Sequence, residues 1–283
     1  MNNKKRCLLG IALIVLSFAG TACQPLNYVD KLAAHEQKWE FTQDELSALT
    51  IESEYDVNME FIASPNDTNY VEVRGNMQQN TIDELKKTEI SGNTLELQLQ
   101  KDVKLVAPAY KSIKTRVIVA LADKTRLQQI SYKANFGDTS FTGLKAENID
   151  LSVSSGKLRT EAISAGRLKL TSKSGDITAE RIQGDAKIQM HSGDIKVDGL
   201  KGTLAVQSTT GNVNVTGQRS DSMDISARSG DVTLSPDPEF KGFFDLKTTS
   251  GNITAPESPQ GTTDVIKVRT VSGDIRIGRV SPI

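Results

Sequence analysis

Eight segments of this chain superimpose when aligned on a glycine: Gly137, Gly156, Gly175, Gly193, Gly211, Gly230, Gly251 and Gly273, spaced 18 to 22 residues apart. Self-similarity at such a period marks a repeat fold, and it is too short for repeats built from helix pairs. Seven, five and three places before each glycine stand small or apolar residues, as in Leu168, Leu170 and Ser172, or Met223, Ile225 and Ala227. Two and four places after it the same alternation resumes at Ile195 and Val197, Val213 and Val215, Val232 and Leu234, and Ile275 and Ile277. Strict alternation in segments rich in Val, Ile and Thr is the mark of half-buried strands. A further apolar position seven residues after the glycine, at Leu144, Ile163, Ile182 and Leu200, gives the early repeats another side. The pattern predicts an all-β chain forming a parallel β-solenoid of about eight rungs. At the spacing between paired strands that is a rod of roughly 38 Å.

With 24% charged and 37% hydrophobic residues, the 283-residue chain has an ordinary globular composition. Its formal charge is -1 and aromatics make up only 5%. Neither a basic stripe nor a stacking platform is present, which argues against a nucleic-acid partner.

The amino terminus has the order of an export signal: Lys4, Lys5 and Arg6, then an apolar run from Leu8 to Gly20 too short to cross a bilayer. It closes on Gly20-Thr21-Ala22-Cys23, which resembles the lipobox of bacterial lipoproteins. That resemblance implies lipidation at Cys23 and a membrane partner reached through the lipid anchor, with the protein facing outside the cytoplasm. Gly20 stands where lipoboxes usually carry Leu, Val or Ile, so cleavage without lipidation is the alternative. Cleavage before Cys23 takes the formal charge from -1 to -4, because residues 1–22 contain three bases and no acid. It also discards Cys7, the one other cysteine, leaving no disulfide, thiolate nucleophile or cysteine zinc site in the mature chain. Residues 23–38 read as a tether, with a short helix around Tyr28 to Gln37.

Residues 39–126 are strand-rich but not periodic, with candidate strands at Leu49 and Ile51, Val57 to Ile62, Tyr70 to Val73, Leu95 to Leu99 and Val117 to Leu121. They read as antiparallel strands or irregular first coils, and Thr81-Ile82-Asp83-Glu84 signals a short helix ending by Lys87. An open solenoid end exposes unpaired backbone and apolar side chains, so capping residues 127–283 is this region's expected task.

The polar stretch Ser91-Gly92-Asn93-Thr94-Leu95-Glu96-Leu97, the strand Val117-Ile118-Val119-Ala120-Leu121 and the repeated Ser-Gly-Asp-Ile units together resemble a bacterial family named putative adhesins, a domain of unknown function. The resemblance covers roughly residues 40 to 280. It implies a β-solenoid at the cell envelope and carries no established catalytic residue. At Val119-Ala120-Leu121 the chain departs from the Val-Pro step common in that family.

Ser-Gly-Asp-Ile recurs at Ser174 to Ile177, Ser192 to Ile195 and Ser272 to Ile275, with asparagine variants at Asn212 and Asn252. Glycine supplies the positive φ of the corner, and Asp or Asn can satisfy N–H groups at the turn. Stacked one strand apart, Asp176 and Asp194 would repel by roughly 3 kcal/mol at an effective dielectric of 20. N–H donors relieve that repulsion structurally and calcium would relieve it as a ligand. The nonapeptide of calcium-binding β-rolls is absent, and the structural reading is preferred, with no metal or other cofactor. His191 falls at an outward strand position without a Ser or Asp arrangement around it, and no catalytic residue is assigned. Late in the repeat, Pro236-Asp237-Pro238-Glu239-Phe240 and Pro256-Glu257-Ser258-Pro259-Gln260 lengthen one corner. Two stiff acidic loops side by side on consecutive rungs are expected, with Asp237, Glu239, Phe240, Glu257 and Gln260 as candidate contacts for an envelope polymer or protein. The function expected is adhesion, binding or structural support at the envelope. The alternatives are an envelope-stress sensor, or a polysaccharide-active enzyme using acids that converge from neighbouring rungs.

Overall fold

The computed structural model describes residues 32–54, 56–99, 114–122, 126–218 and 222–278. The export signal, Cys23 and the first part of the tether lie outside the described residues. Among the described residues, twenty strands and one helix follow in chain order. The amino-terminal part holds β1 (Ala33–Phe41), β2 (Ala48–Ser53), β3 (Asp56–Ala63), β4 (Asn69–Met77), α1 (Gln79–Leu85), β5 (Thr94–Gln98) and β6 (Lys114–Leu121). The early repeats hold β7 (Leu127–Ala134), β8 (Thr139–Thr142), β9 (Lys145–Ser155), β10 (Leu158–Ser174), β11 (Ile177–Ser192), β12 (Ile195–Lys201), β13 (Leu204–Thr210) and β14 (Val213–Gln218). The late repeats hold β15 (Ser222–Ser229), β16 (Val232–Pro236), β17 (Phe243–Ser250), β18 (Ile253–Thr254), β19 (Val265–Ser272) and β20 (Ile275–Ile277).

The strands form one open, β-solenoid-like stack with two faces. Strands preceding the corner glycines pair in the order β5–β2–β7–β9–β10–β11–β13–β15–β19–β17. Strands following them pair as β1–β4–β6–β3–β8–β10–β11–β12–β14–β16–β20–β18. Of these strand pairs, only β1–β4 and β4–β6 are antiparallel. The long strands β10 and β11 belong to both faces because they run through the bend between them, where Ala162 and Arg181 take left-handed φ of 56° and 53°.

The alternation read from the repeat is the burial pattern observed. Leu168, Leu170, Ser172, Met223, Ile225, Ile195, Val197, Val213, Val215, Val232, Leu234, Ile275 and Ile277 are all buried along the stack, as are Leu144, Ile163, Ile182 and Leu200. That last column continues unexpectedly at Gln218, which is 1% exposed with neither side-chain amide atom hydrogen-bonded.

Neighbouring coils approach closely at the corner glycines. A Cβ placed on Gly156, Gly175, Gly193, Gly211, Gly230 or Gly273 would stand 1.8 to 2.4 Å from the carbonyl oxygen of the glycine one coil away. The φ values, from 116° to 146° at these six, independently demand glycine.

Order along the stack differs from order along the chain at both ends. The Gly273 repeat lies between the Gly230 and Gly251 repeats, since β19 pairs with both β15 and β17. At the other end, β2 lies between β5 and β7 and β3 between β6 and β8. In both places the coil near the chain end is held by ladders on two sides, which opposes fraying.

Residues 39–126 are therefore partly coils and partly cap: β2, β3, β5 and β6 join the parallel stack, while β1, β4 and α1 cover its end. Ile82 and Leu85 of α1 are buried, and the Trp39 indole N–H donates to the Thr88 carbonyl at 2.8 Å. No structural division falls at residue 126, because β2 pairs with β7 along its whole length. The helix expected around Tyr28 to Gln37 is corrected over its described part, where β1 starts at Ala33 and pairs with β4. Pairing to an exposed strand edge outweighs local helix preference there.

Burial and backbone geometry set the cost of two kinds of substitution. Ile195→Asp, which places a carboxylate at a position 1% exposed, should unfold the protein or cost several kcal/mol, whereas Lys196→Glu on the outer face should shift a thermal melt by little. Gly211→Ala should cost about 3 kcal/mol or more in chemical denaturation, because its Cβ would meet the Gly193 oxygen at 1.8 Å.

Candidate functional site

The residue after each corner glycine builds a polar ladder along the stack. From Asp176 on, each such side chain except Asn252 at the end of the column accepts the backbone N–H of its counterpart one coil away: Asp176 Oδ1 from Asp194 at 3.2 Å, Asp194 Oδ1 from Asn212 at 2.7 Å and Asn212 Oδ1 from Asp231 at 3.0 Å. Asp231 then accepts from Asp274 at 2.9 Å and Asp274 from Asn252 at 2.8 Å, following the transposed order of coils. The donors expected to relieve acid repulsion are thus present, but they come from the next coil rather than the same turn. Asp and Asn interchange because each needs only one acceptor oxygen. The ladder extends into the amino-terminal coils, where Asp56 Oδ1 accepts from Asp138 and Asp138 Oδ1 from Lys157, both at 2.9 Å.

Hydrogen bonding from the Asp274 N–H and then the Arg276 guanidinium holds the Asp231 carboxyl below the usual carboxylate range. The Thr203 hydroxyl and N–H do the same for Asp185. Among the described residues, no group of three or more His, Cys, Asp or Glu is placed to hold a metal ion. His191 is exposed on the outer face.

Lys157 brings a cation into this ladder, and its coil opens a shallow groove of about 460 Å³. Lys114, Lys157 and Arg159 line it together with Asp56, Asp138, Asp176 and neighbouring Asn, Ser and Thr side chains. None of the three bases forms an ion pair among the described residues. The sequence signal for this groove is Lys157 itself, the member of the repeat that breaks the Asp/Asn rule.

The two long corner loops are brought together, though not as expected. The Gly273 repeat lies between the Gly230 and Gly251 repeats, so the first loop, from β16 to β17, is a crossover spanning it, and the second, from β18 to β19, returns to the adjacent coil. They pair directly: Phe243 N–H donates to Asp264 O at 2.8 Å, Gly261 and Thr262 N–H to Lys241 O at 2.6 and 3.0 Å, and Gln260 N–H to Gly242 O at 3.2 Å. Asp237 Oδ1 accepts the Glu239 N–H at 2.9 Å, stiffening the first loop. Glu239, Glu257 and Gln260 are exposed or half-exposed, and Gln260 has a left-handed φ of 60°. Phe240, expected as a surface aromatic, instead folds against the core edge and stacks on Phe244 at 5.3 Å. An aromatic ring at an open coil gains more by covering apolar surface than by facing water.

Coils stacked by glycine columns and Asp/Asn ladders, capped at one end by a helix and antiparallel strands, define a β-solenoid-like repeat protein. The chain belongs to the Toastrack DUF4097 family, which it matches over residues 46–278. Three solved structures are similar to it. A putative adhesin from Parabacteroides distasonis is 14% identical with a TM-score of 0.45, the match covering 86% of this chain and 97% of that one. A putative adhesin from Bacteroides fragilis is 12% identical with a TM-score of 0.38, covering 87% and 97%. A structure named putative lipid binding protein, also from Parabacteroides distasonis, is 12% identical with a TM-score of 0.29, covering 87% and 97%. No curated protein matches the sequence.

Asp194→Asn should be nearly neutral, whereas Asp194→Ala should cost about 1 kcal/mol by leaving the Asn212 N–H without its acceptor. Neither calcium nor a chelator should move the melting temperature appreciably. Because the Asp231 and Asp185 carboxyls are depressed in the folded state, their contribution is present above the unfolded value and lost as pH falls through the folded one. Stability should be level above about pH 5 and decline below about pH 4, less steeply in Asp231→Asn.

Proposed function

We propose that this protein is a membrane-tethered extracytoplasmic lipoprotein whose β-solenoid is a non-catalytic binding module at the cell envelope. The observation that carries the reading is polarity along the stack. The first strand, β1, lies at one end of the ladder, and the paired loops with Glu239, Glu257 and Gln260 lie at the other. The strand steps from β1 to β18, at about 4.8 Å each, place the two ends on the order of 50 Å apart. An anchor at Cys23 would hold the first end at the membrane and present the loops away from it. Proline in both loops and their mutual hydrogen bonds reduce the entropy lost when a partner orders them.

Because the first loop must cross a coil and the second is hydrogen-bonded to it, shortening them would disturb the stack, and side-chain changes are the cleaner test. Glu239→Lys with Glu257→Lys should lower binding of the full chain to isolated envelope at least about tenfold and leave the thermal midpoint in place. Unchanged binding would move the contact to the flat faces or the Lys157 groove. For the anchor, wild-type protein should enter the detergent phase on phase separation and Cys23→Ser should remain aqueous.

A further inference from the structure

The two ends of the stack are finished differently. At the amino-terminal end α1, β1 and β4 cover the core, whereas the coil of β17 and β18 pairs on one side only among the described residues. Phe243 and Ile253 in that coil are 40% and 45% exposed. Phe244 and Leu246 pack against the core edge without being fully covered. The Gly230 and Gly273 N–H groups each donate to a carbonyl on the next coil, and the Gly251 N–H has no such acceptor among the described residues. β18 is only two residues long, so β17, at eight residues, is the long edge; its Phe244 N–H donates to Ser258 Oγ at 2.9 Å, and the stretch from Asp245 onward is left open.

We propose that this edge pairs with the β17 edge of a second copy, antiparallel and about a twofold axis at Leu246. Charge self-complementarity along Phe243-Phe244-Asp245-Leu246-Lys247-Thr248-Thr249 selects this register. With Leu246 opposite its own counterpart, Asp245 faces Lys247 of the second copy twice, both on the outer face, and Phe244 faces Thr248 on the core face, where the second copy takes the place of Ser258 Oγ on the Phe244 N–H. Lys247 has no ion pair among the described residues, and Asp245 already carries one to Arg269. Moving the axis by one residue to Asp245 or Lys247 puts two like charges directly opposite. Moving it by half a residue sets core-facing side chains against outward-facing ones. One register therefore satisfies the edge, and in it the open apolar layers of the two copies close on one another. A twofold contact is self-limiting, so it yields a dimer and no fibre. The axis also sends the two β1 ends to opposite poles of a doubled rod and sets the two loop pairs near its middle. This pairing goes beyond the binding role of the loops and does not depend on it.

The test is the mass of the full chain in detergent by light scattering, corrected for bound detergent. Wild type and Lys247→Arg should have the mass of two chains at micromolar concentration. Lys247→Glu turns two opposite-charge pairs into two like-charge pairs and should weaken dimerisation at least about tenfold. Lys187→Glu, on the same outer face but away from the edge, should leave it unchanged. Under mild oxidant Leu246→Cys should form a reducible disulfide-linked dimer, as opposed positions of an antiparallel pair come within disulfide reach, while wild type, whose cysteines are Cys7 and Cys23, should not. A melt of each variant confirms folding. A monomeric wild type, a Lys247→Glu dimer as tight as wild type, or a Leu246→Cys adduct with a different protein would each overturn the proposal.

Discussion

The corner glycine of each coil rests against the carbonyl oxygen of the glycine beside it, and the remaining structure depends on this contact. With no Cβ in the way, adjacent backbones close to the spacing at which both faces keep their parallel ladders in register. A side chain at any of these positions would have to push two coils apart, breaking hydrogen bonds on both faces at once. The spacing of the glycines thereby sets the length of every coil and the alignment of the apolar columns between them.

That close approach would stack acids, and the ladder beside the glycines converts the problem into a bond. Each carboxylate or amide takes the N–H of the next coil, so a group otherwise left between strands is satisfied and the negative charge is met by a dipole. Asparagine at two positions, Lys157 at another and Arg276 beside Asp231 keep the column from accumulating like charge. This makes the turn acids structural elements first, which is why their regular recurrence does not by itself define a reactive centre.

The ends carry what the middle cannot. An interior coil is fully occupied by its neighbours, so differences in surface chemistry arise where coils stop or the chain must cross. Transposition of the Gly251 and Gly273 repeats makes the first long loop a crossover and the second its return, packs them against each other and leaves β17 at the edge. The opposite end is closed by α1, β1 and β4. The stack thus has one covered end near the first strand and one loop-bearing end, and the proposed tethered binding role rests on that asymmetry.

Residue spacing alone determined the strands, the inward columns and the glycine corners, because period-two alternation and the need for positive φ are local properties of the chain. The corner loops and their acids were legible for the same reason, as departures from the repeat length. Three features were not. The order of the last two coils depends on which edges meet, and the Gly251 and Gly273 repeats are too alike for their sequences to rank them. Phe240 reads as a surface aromatic until the open coil beneath it is known. Gln218 reads as polar surface until the column from Leu144 to Leu200 places it inside. In each case the decision belongs to neighbours distant in sequence, whose burial and pairing energies outweigh the local preference of the residue itself.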